Sequence, residues 1–305
     1  MLPLAVGALA FNFGGVVPRP GALTSSRAAV SMGLTLDDKS EPLKFYTMTN
    51  AAGDSAKVYL MGACITSYVV DGNDALMVRP DAKMDGSKPI SGGIPFCFPQ
   101  FGPGELQQHG FARNLDWDVV SAADGDAPTL VLGLKPSEYT TAMWDHPFDA
   151  TYTITLAKGE LQTSFKVANT GDEAFEFTGA LHSYWAVSAI DKVSIEGAFE
   201  GKKFLNKMAD PPALQDAAGA AITISEETDA VYEGVGGTVT IKDSGKKSAI
   251  EISSSGWEDT VVWNPYGNEG MGYDSFVCVE AAKALKPITV APGKDWEGVM
   301  NVKQV

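Results

Sequence analysis

Residues 150–167 hold the pattern that most narrows the fold. In Ala150-Thr-Tyr-Thr-Ile-Thr-Leu156, Tyr152, Ile154 and Leu156 alternate with three threonines. Leu161, Thr163, Phe165 and Val167 repeat the period. Successive side chains of a strand point to opposite faces, so a period of two marks a strand with one face buried. Lys158-Gly159 between the runs and Asn169-Thr-Gly-Asp172 after them carry turn chemistry, which predicts a hairpin.

Strand-like runs recur at Val58–Met61, Ile65–Val70, Trp117–Ser121, Leu130–Leu134, Phe175–Leu181, Val239–Ile241, Ala249–Ser253, Val261–Trp263 and Phe276–Val279. No segment sustains the i, i+3, i+4, i+7 stripe of an amphipathic helix, and Pro211–Ala220 and Asp145–Phe148 read as loops. Strands at this spacing without intervening helices predict an all-β fold, a large antiparallel sandwich or barrel. Thirty-two glycines and 17 prolines supply its turns. No internal repeat or linker divides residues 33–305, so a single domain is expected there.

Charge removes whole classes of function. Lys plus Arg number 23 against 38 Asp plus Glu, a net charge of −15. Such a chain offers no cationic field to a phosphate backbone, which argues against nucleic acid as a partner. No apolar run reaches the ~20 residues of a membrane span. The three cysteines, Cys64, Cys97 and Cys278, cannot all pair and form no C-x-x-C, so they read as reduced, buried small hydrophobes. Nothing specifies an oligomer, and a monomer is the expectation.

Residues 1–32 differ from the rest. They contain no Asp, Glu or Lys, only Arg19 and Arg27, with a short apolar stretch from Leu2 to Ala10. An acid-free leader with Ser25-Ser26-Arg27 reads as a targeting segment. Arg27-Ala-Ala-Val-Ser-Met32 resembles a plastid transit cleavage region. The expectation is a leader over 1–32, removed on entry to a plastid; an unaddressed extension on a cytoplasmic protein and a mitochondrial leader are the alternatives.

Common catalytic motifs are missing: no P-loop, no strand-linked G-x-G-x-x-G, no H-E-x-x-H and no G-x-S-x-G. With three histidines, His109, His146 and His182, a multi-histidine metal site would need nearly all of them. No metal and no cofactor are expected. What stands out is Pro89-Ile-Ser-Gly-Gly-Ile-Pro-Phe-Cys-Phe-Pro-Gln-Phe-Gly-Pro103, uncharged and dense in Gly, Pro and aromatics, followed by Gln108-His-Gly-Phe-Ala-Arg-Asn114. Prolines remove ladder donors, so this stretch predicts rigid irregular loops, the usual carriers of functional groups.

These blocks closely resemble the glucose-6-phosphate 1-epimerase branch of the aldose 1-epimerase family. So do Gly179-Ala-Leu-His-Ser-Tyr-Trp185, Glu227-Thr-Asp-Ala-Val-Tyr232, Val261-Val-Trp-Asn-Pro265 and Phe276-Val-Cys-Val-Glu-Ala-Ala282, in family order over residues 40–303. The resemblance implies a galactose-mutarotase-like antiparallel β-supersandwich and metal-free interconversion of the α and β anomers of a hexose 6-phosphate, most simply D-glucose 6-phosphate. It assigns His182 as general acid and Glu280 as general base. It assigns Gln108 and Arg113 to sugar-phosphate binding, Asp229 to substrate contact and His109 to shaping the pocket. Two positions depart from the family. Ser91 stands where an arginine is usual, which removes one phosphate ligand, and Ala230 replaces the arginine of Thr-Asp-Arg. Lys88 and Arg79 are the nearby cations able to replace the charge lost at Ser91.

The chemistry agrees. Anomers exchange when a base takes the O1 proton while an acid protonates ring O5, followed by rotation about C1–C2 and reclosure. One acid and one base suffice. Histidine titrates near neutrality. Phe276, Cys278 and Glu280 share one face of their strand and Val277 and Val279 the other. Taken alone, His182 reads as a core histidine and Glu280 equally as a rim salt-bridge residue. Three other functions compete: a general aldose 1-epimerase, a non-catalytic carbohydrate-binding sandwich, which needs no acid–base pair, and a glycosidase, which needs two carboxylates flanking a glycosidic bond.

Overall fold

The structure is a computed structural model that describes Met1 and residues 32–305. The leader expectation falls almost wholly on residues 2–31, outside the described residues. Residues Ser31–Val305 form one compact unit. No helix among the described residues is long and apolar enough to cross a membrane.

The expected hairpin forms the middle of the molecule. Strands Phe148–Ala157 and Glu160–Asn169 pair antiparallel, with Tyr152 opposite Phe165, Ile154 opposite Thr163 and Leu156 opposite Leu161. All six are buried. The buried Thr163 hydroxyl donates to the Met300 carbonyl at 2.8 Å.

These strands belong to a nine-stranded antiparallel sheet. A second sheet of eight strands runs through Ala213–Asp216, Lys203–Asn206, Thr228–Tyr232, Asp259–Asn264, Phe276–Val290, Phe175–Leu181 and Phe96–Cys97, and Tyr184–Ala186 also pairs with Phe276–Val290. A third, five-stranded sheet begins at Gly33–Asp37. The main core fills the space between sheets. Val277, Val279 and Val262 contribute to it from the eight-stranded sheet, and Phe165, Val167 and Tyr152 from the hairpin. Trp257 stacks on Phe165 with centroids 6.3 Å apart. A Cβ on Gly298 would sit 2.5 Å from the Trp257 ring, so this strand position has to be glycine.

Three expectations need correction. Strand Ala213–Asp216 lies within the segment expected to be loop, because it pairs along Lys203–Asn206 at the sheet edge. The Pro-rich stretch is largely irregular as expected, yet Phe96 and Cys97 pair with Leu181 and Ala180. Strand Phe276–Val290 is 15 residues long and continues far beyond Val279.

Candidate active site

Register builds the site. Leu181 lies opposite Ala281 and Tyr184 opposite Cys278, so His182, in the break between these two ladders, is carried over Glu280. Val261 faces Glu280 from the other side, and Val231 faces Val261. One row across the sheet is therefore His182, Glu280, Val261 and Val231. The next is Tyr184, Cys278, Trp263 and Asp229. Directly opposed side chains stand about 4.5–5.5 Å apart at Cβ, so such rows place remote residues in contact. The face alternation read in Phe276–Glu280 holds: Val277 and Val279 join the main core, and Phe276, Cys278 and Glu280 face the other way.

The rows floor a cavity of about 360 Å³ lined by Gln108, His109, Arg113, His182, Asp229 and Glu280. All six residues singled out in the sequence meet there. Arg79, Ser91, Tyr184, Lys207 and Trp263 complete much of its wall. Larger clefts elsewhere, of about 460 and 550 Å³, contain no His–carboxylate pair.

His182 Nδ1 approaches Glu280 Oε1 at 3.2 Å, with 12% of the histidine side chain and 1% of the glutamate side chain exposed. The ring is not angled for a hydrogen bond, and Nδ1 and Glu280 Oε2 are both buried without a partner. Buried polar atoms are almost always paired, so two orphans on residues that line one cavity mark a place where a ligand completes them. Burial drives the Glu280 pKa well above the usual carboxylate range, the Asp229 charge adding to it. Burial drives His182 well below 6.5, helped by His109 and Arg113. Both shifts favour the neutral forms, a protonated carboxyl and an uncharged imidazole. Tyr184 stacks on the imidazole at 4.9 Å and 11°, fixing the ring plane.

The Gln108–Asn114 loop supplies the opposite wall. His109 adopts φ 66°, and Gly110 follows at φ 68° with its Cα so close to the Phe98 carbonyl that a Cβ would sit 2.2 Å away. This turn directs the His109 ring inward, 5.5 Å from His182. The Gly102 N–H donates to His109 Nδ1 at 3.1 Å, so the ring accepts there. Burial, with Arg113 and Lys207 nearby, lowers its pKa to about 3, and it stays neutral. Arg113 donates to the Gln108 carbonyl at 3.0 Å through Nη2, and its Nε is buried without a partner.

Sequence reasoning missed Lys207. Its Nζ sits 2.6 Å from Asp229 Oδ2, and its backbone N–H donates to the Asp229 carbonyl at 2.9 Å. No pattern in Lys203–Asn206 marks it; only the pairing with Thr228–Tyr232 brings it in. The structure also chooses between the two cations near Ser91. Arg79 lines the cavity beside Ser91, 12% exposed, its fork on Asp81, whereas Lys88 is exposed and outside it. Ala230 is buried opposite Val262, on the core side of the strand, so Asp229 and not residue 230 faces the cavity.

Comparison with known proteins agrees with this geometry. The family described as Aldose 1-epimerase matches residues 44–303. The chain is a member of the aldose 1-epimerase family. A Cenchrus ciliaris protein provisionally named glucose-6-phosphate 1-epimerase is 33% identical over 286 residues, covering 86% of this chain and 85% of the relative. An Escherichia coli K12 protein of the same provisional name is 32% identical over 253 residues, 78% and 83% of the two chains. Among solved structures, a Salmonella typhimurium protein provisionally named a mutarotase superposes with a TM-score of 0.80 at 26% identity, over 90% of this chain and 94% of its own. A galactose 1-epimerase of Lactobacillus acidophilus shares the fold, with a TM-score of 0.69 at 14% identity over 90% and 99% of the two chains. This family member has the galactose-mutarotase-like all-β fold, and membership supports aldose 1-epimerase (mutarotase) activity.

Proposed function

We propose that the chain interconverts the α and β anomers of a hexose 6-phosphate, D-glucose 6-phosphate first, by opening and reclosing the pyranose ring. The observation that carries this reading is the orphaned His182–Glu280 pair in a cavity that also holds Arg79, Arg113 and Lys207. Three cations around one cavity are unexpected in a chain of net charge −15. They fit a phosphate dianion, and guanidinium forks match its oxygens.

The sugar completes what the resting pair lacks. The O1 hydroxyl donates to Glu280, and ring O5 accepts from His182. Hydrogen bonds to a charged form favour that form, so the bound sugar stabilises carboxylate and imidazolium in place of the neutral pair. The proton count stays at one. Glu280 then takes the O1 proton as His182 protonates O5, the C1–O5 bond breaks, and the open aldehyde rotates about C1–C2. In reclosure His182 accepts the O5 proton as O5 attacks C1, and Glu280 returns a proton to O1. Asp229 and Gln108 hold sugar hydroxyls, and the indole of Trp263 offers an apolar ring face. Exchange NMR on glucose 6-phosphate tests the reading. The full chain should produce cross-peaks between the α and β anomeric protons on a timescale where buffer alone gives none; their absence at high protein concentration overturns it.

A further inference from the structure

The acid–base reaction uses the imidazole of His182 and the carboxylate of Glu280, and it has no use for the sulfur beside them. Cys278 is fully buried one cross-strand row away, opposite both Tyr184 and Trp263. Its Sγ, a ring nitrogen of His182 and a carboxylate oxygen of Glu280 all lie within 4.8 Å of one another. They are the one grouping of three such donors among the described residues. Cys278 and Glu280 share a face because they are two apart on one strand, and His182 is brought over them by register.

We propose that this floor is also an inhibitory binding site for a thiophilic divalent cation, Zn²⁺ in the first place, held by His182, Cys278 and Glu280. The donor set is the first argument. One imidazole nitrogen, one sulfur and one carboxylate oxygen suit zinc and cobalt, whereas magnesium and calcium call for all-oxygen cages. The second is unspent coordination. His182 Nδ1 and Glu280 Oε2 are buried with no hydrogen-bond partner, so lone pairs are already stripped of water at the point where an ion would sit. The third is distance. Zn–N and Zn–O bonds near 2.1 Å and Zn–S near 2.3 Å put tetrahedral donors roughly 3.3–3.6 Å apart. His182 and Glu280 already stand at 3.2 Å. The sulfur, within 4.8 Å of the other two, needs a shift of at most about 1.5 Å by the same geometry.

Access comes through the cavity, where 12% of the His182 side chain is exposed. The ion binds three protein atoms, with a water from the cavity as a fourth ligand. Binding releases the thiol proton of Cys278, and that of Glu280, to solvent, and nothing is oxidised or reduced. Both groups that would move protons on the sugar are then committed to the metal, so the cation competes with the sugar. That competition rests on the proposed function; the binding site itself does not.

The test uses the full chain after chelator treatment and dialysis, with zinc chloride and cobalt chloride as probes. Zinc at micromolar concentrations should abolish anomer exchange in competition with the sugar, EDTA should restore it, and millimolar magnesium should do nothing. Cobalt should give a thiolate-to-metal charge-transfer band that the sugar displaces. Cys278→Ala should keep exchange, lose the band, and need at least about tenfold more zinc for the same inhibition, the scale on which even outer-shell changes alter metal affinity. No inhibition and no cobalt band in the wild-type chain overturns the site. So does a Cys278→Ala chain as zinc-sensitive as wild type. If Cys278→Ala does not fold, the wild-type band and its displacement by sugar decide. A cobalt band in a chain that exchanges no anomers would keep the metal site and sink the proposed function.

Discussion

Glu280 and His182 stand 3.2 Å apart, His182 in the break between two ladders that pair with the Glu280 strand, and neither gives the other a hydrogen bond. Each is positioned by strand register and left unsatisfied. If they are the proton-transfer pair, His182→Asn and Glu280→Gln should each lower kcat by at least ~10²-fold, the usual worth of one acid or base. Circular dichroism should be unchanged. Near wild-type exchange in either variant removes that residue from the mechanism. The pair needs no Lewis acid, so EDTA should not slow the wild-type chain.

The pKa directions give a pH profile. Below the depressed His182 pKa the pair takes a second proton and loses its base. Above the raised Glu280 pKa it loses its only proton and with it the acid. Activity requires the one-proton state, so kcat/KM should be flat through neutrality, with its acid limb below 6.5. The two limbs belong to the pair as a unit. An acid limb at or above 6.5, as for an unburied histidine, would contradict the burial argument.

Burying a carboxyl has a stability signature too. Burial raises the Glu280 pKa in the folded chain above that of the unfolded one, so folding takes up a proton in the interval between the two. Wild-type stability should therefore fall as pH rises from the ordinary carboxylate range to the raised value. The slope from this group is about 1.4 kcal/mol per pH unit. Glu280→Gln carries no such cost. Thermal melts should show the variant gaining on wild type between pH 4 and pH 7, a window that spans the usual ~4.3 of a free Glu and reaches neutrality. A stability difference independent of pH would refute this.

Phosphate recognition makes separable predictions. Arg113→Ala should raise KM for glucose 6-phosphate roughly tenfold, a charge-assisted contact being worth about 1.5–3 kcal/mol, and barely affect glucose. Arg79→Ala should act in the same direction, and Lys88→Ala should not act, because only Arg79 of the two lines the cavity. Ser91→Arg should give little or no gain, since Arg79 already holds that side. Steady-state kinetics on both sugars decide each case.

Much of this was legible in the sequence where side-chain period was clean. The 148–169 hairpin and the two faces of Phe276–Glu280 follow from alternation alone, and both hold in the structure. Strand Asp295–Gln304 was not legible, because glycine occupies a buried position at Gly298 to make room for Trp257 and so breaks the hydrophobic period. His182 and Glu280 were found through motif resemblance; their opposition depends on the pairing of strands distant in sequence. Lys207 lies in a short, half-buried edge region with no period, and only its ladder partner Asp229 reveals it.

The most direct test of the central claim is the ratio of kcat/KM for anomer exchange on glucose 6-phosphate to that on glucose, measured by NMR for the wild-type full chain. A cavity holding Arg79, Arg113 and Lys207 should favour the phosphorylated sugar by at least about tenfold, the worth of one charge-assisted contact. Equal efficiency on the two sugars would contradict the phosphate reading and leave a general aldose 1-epimerase.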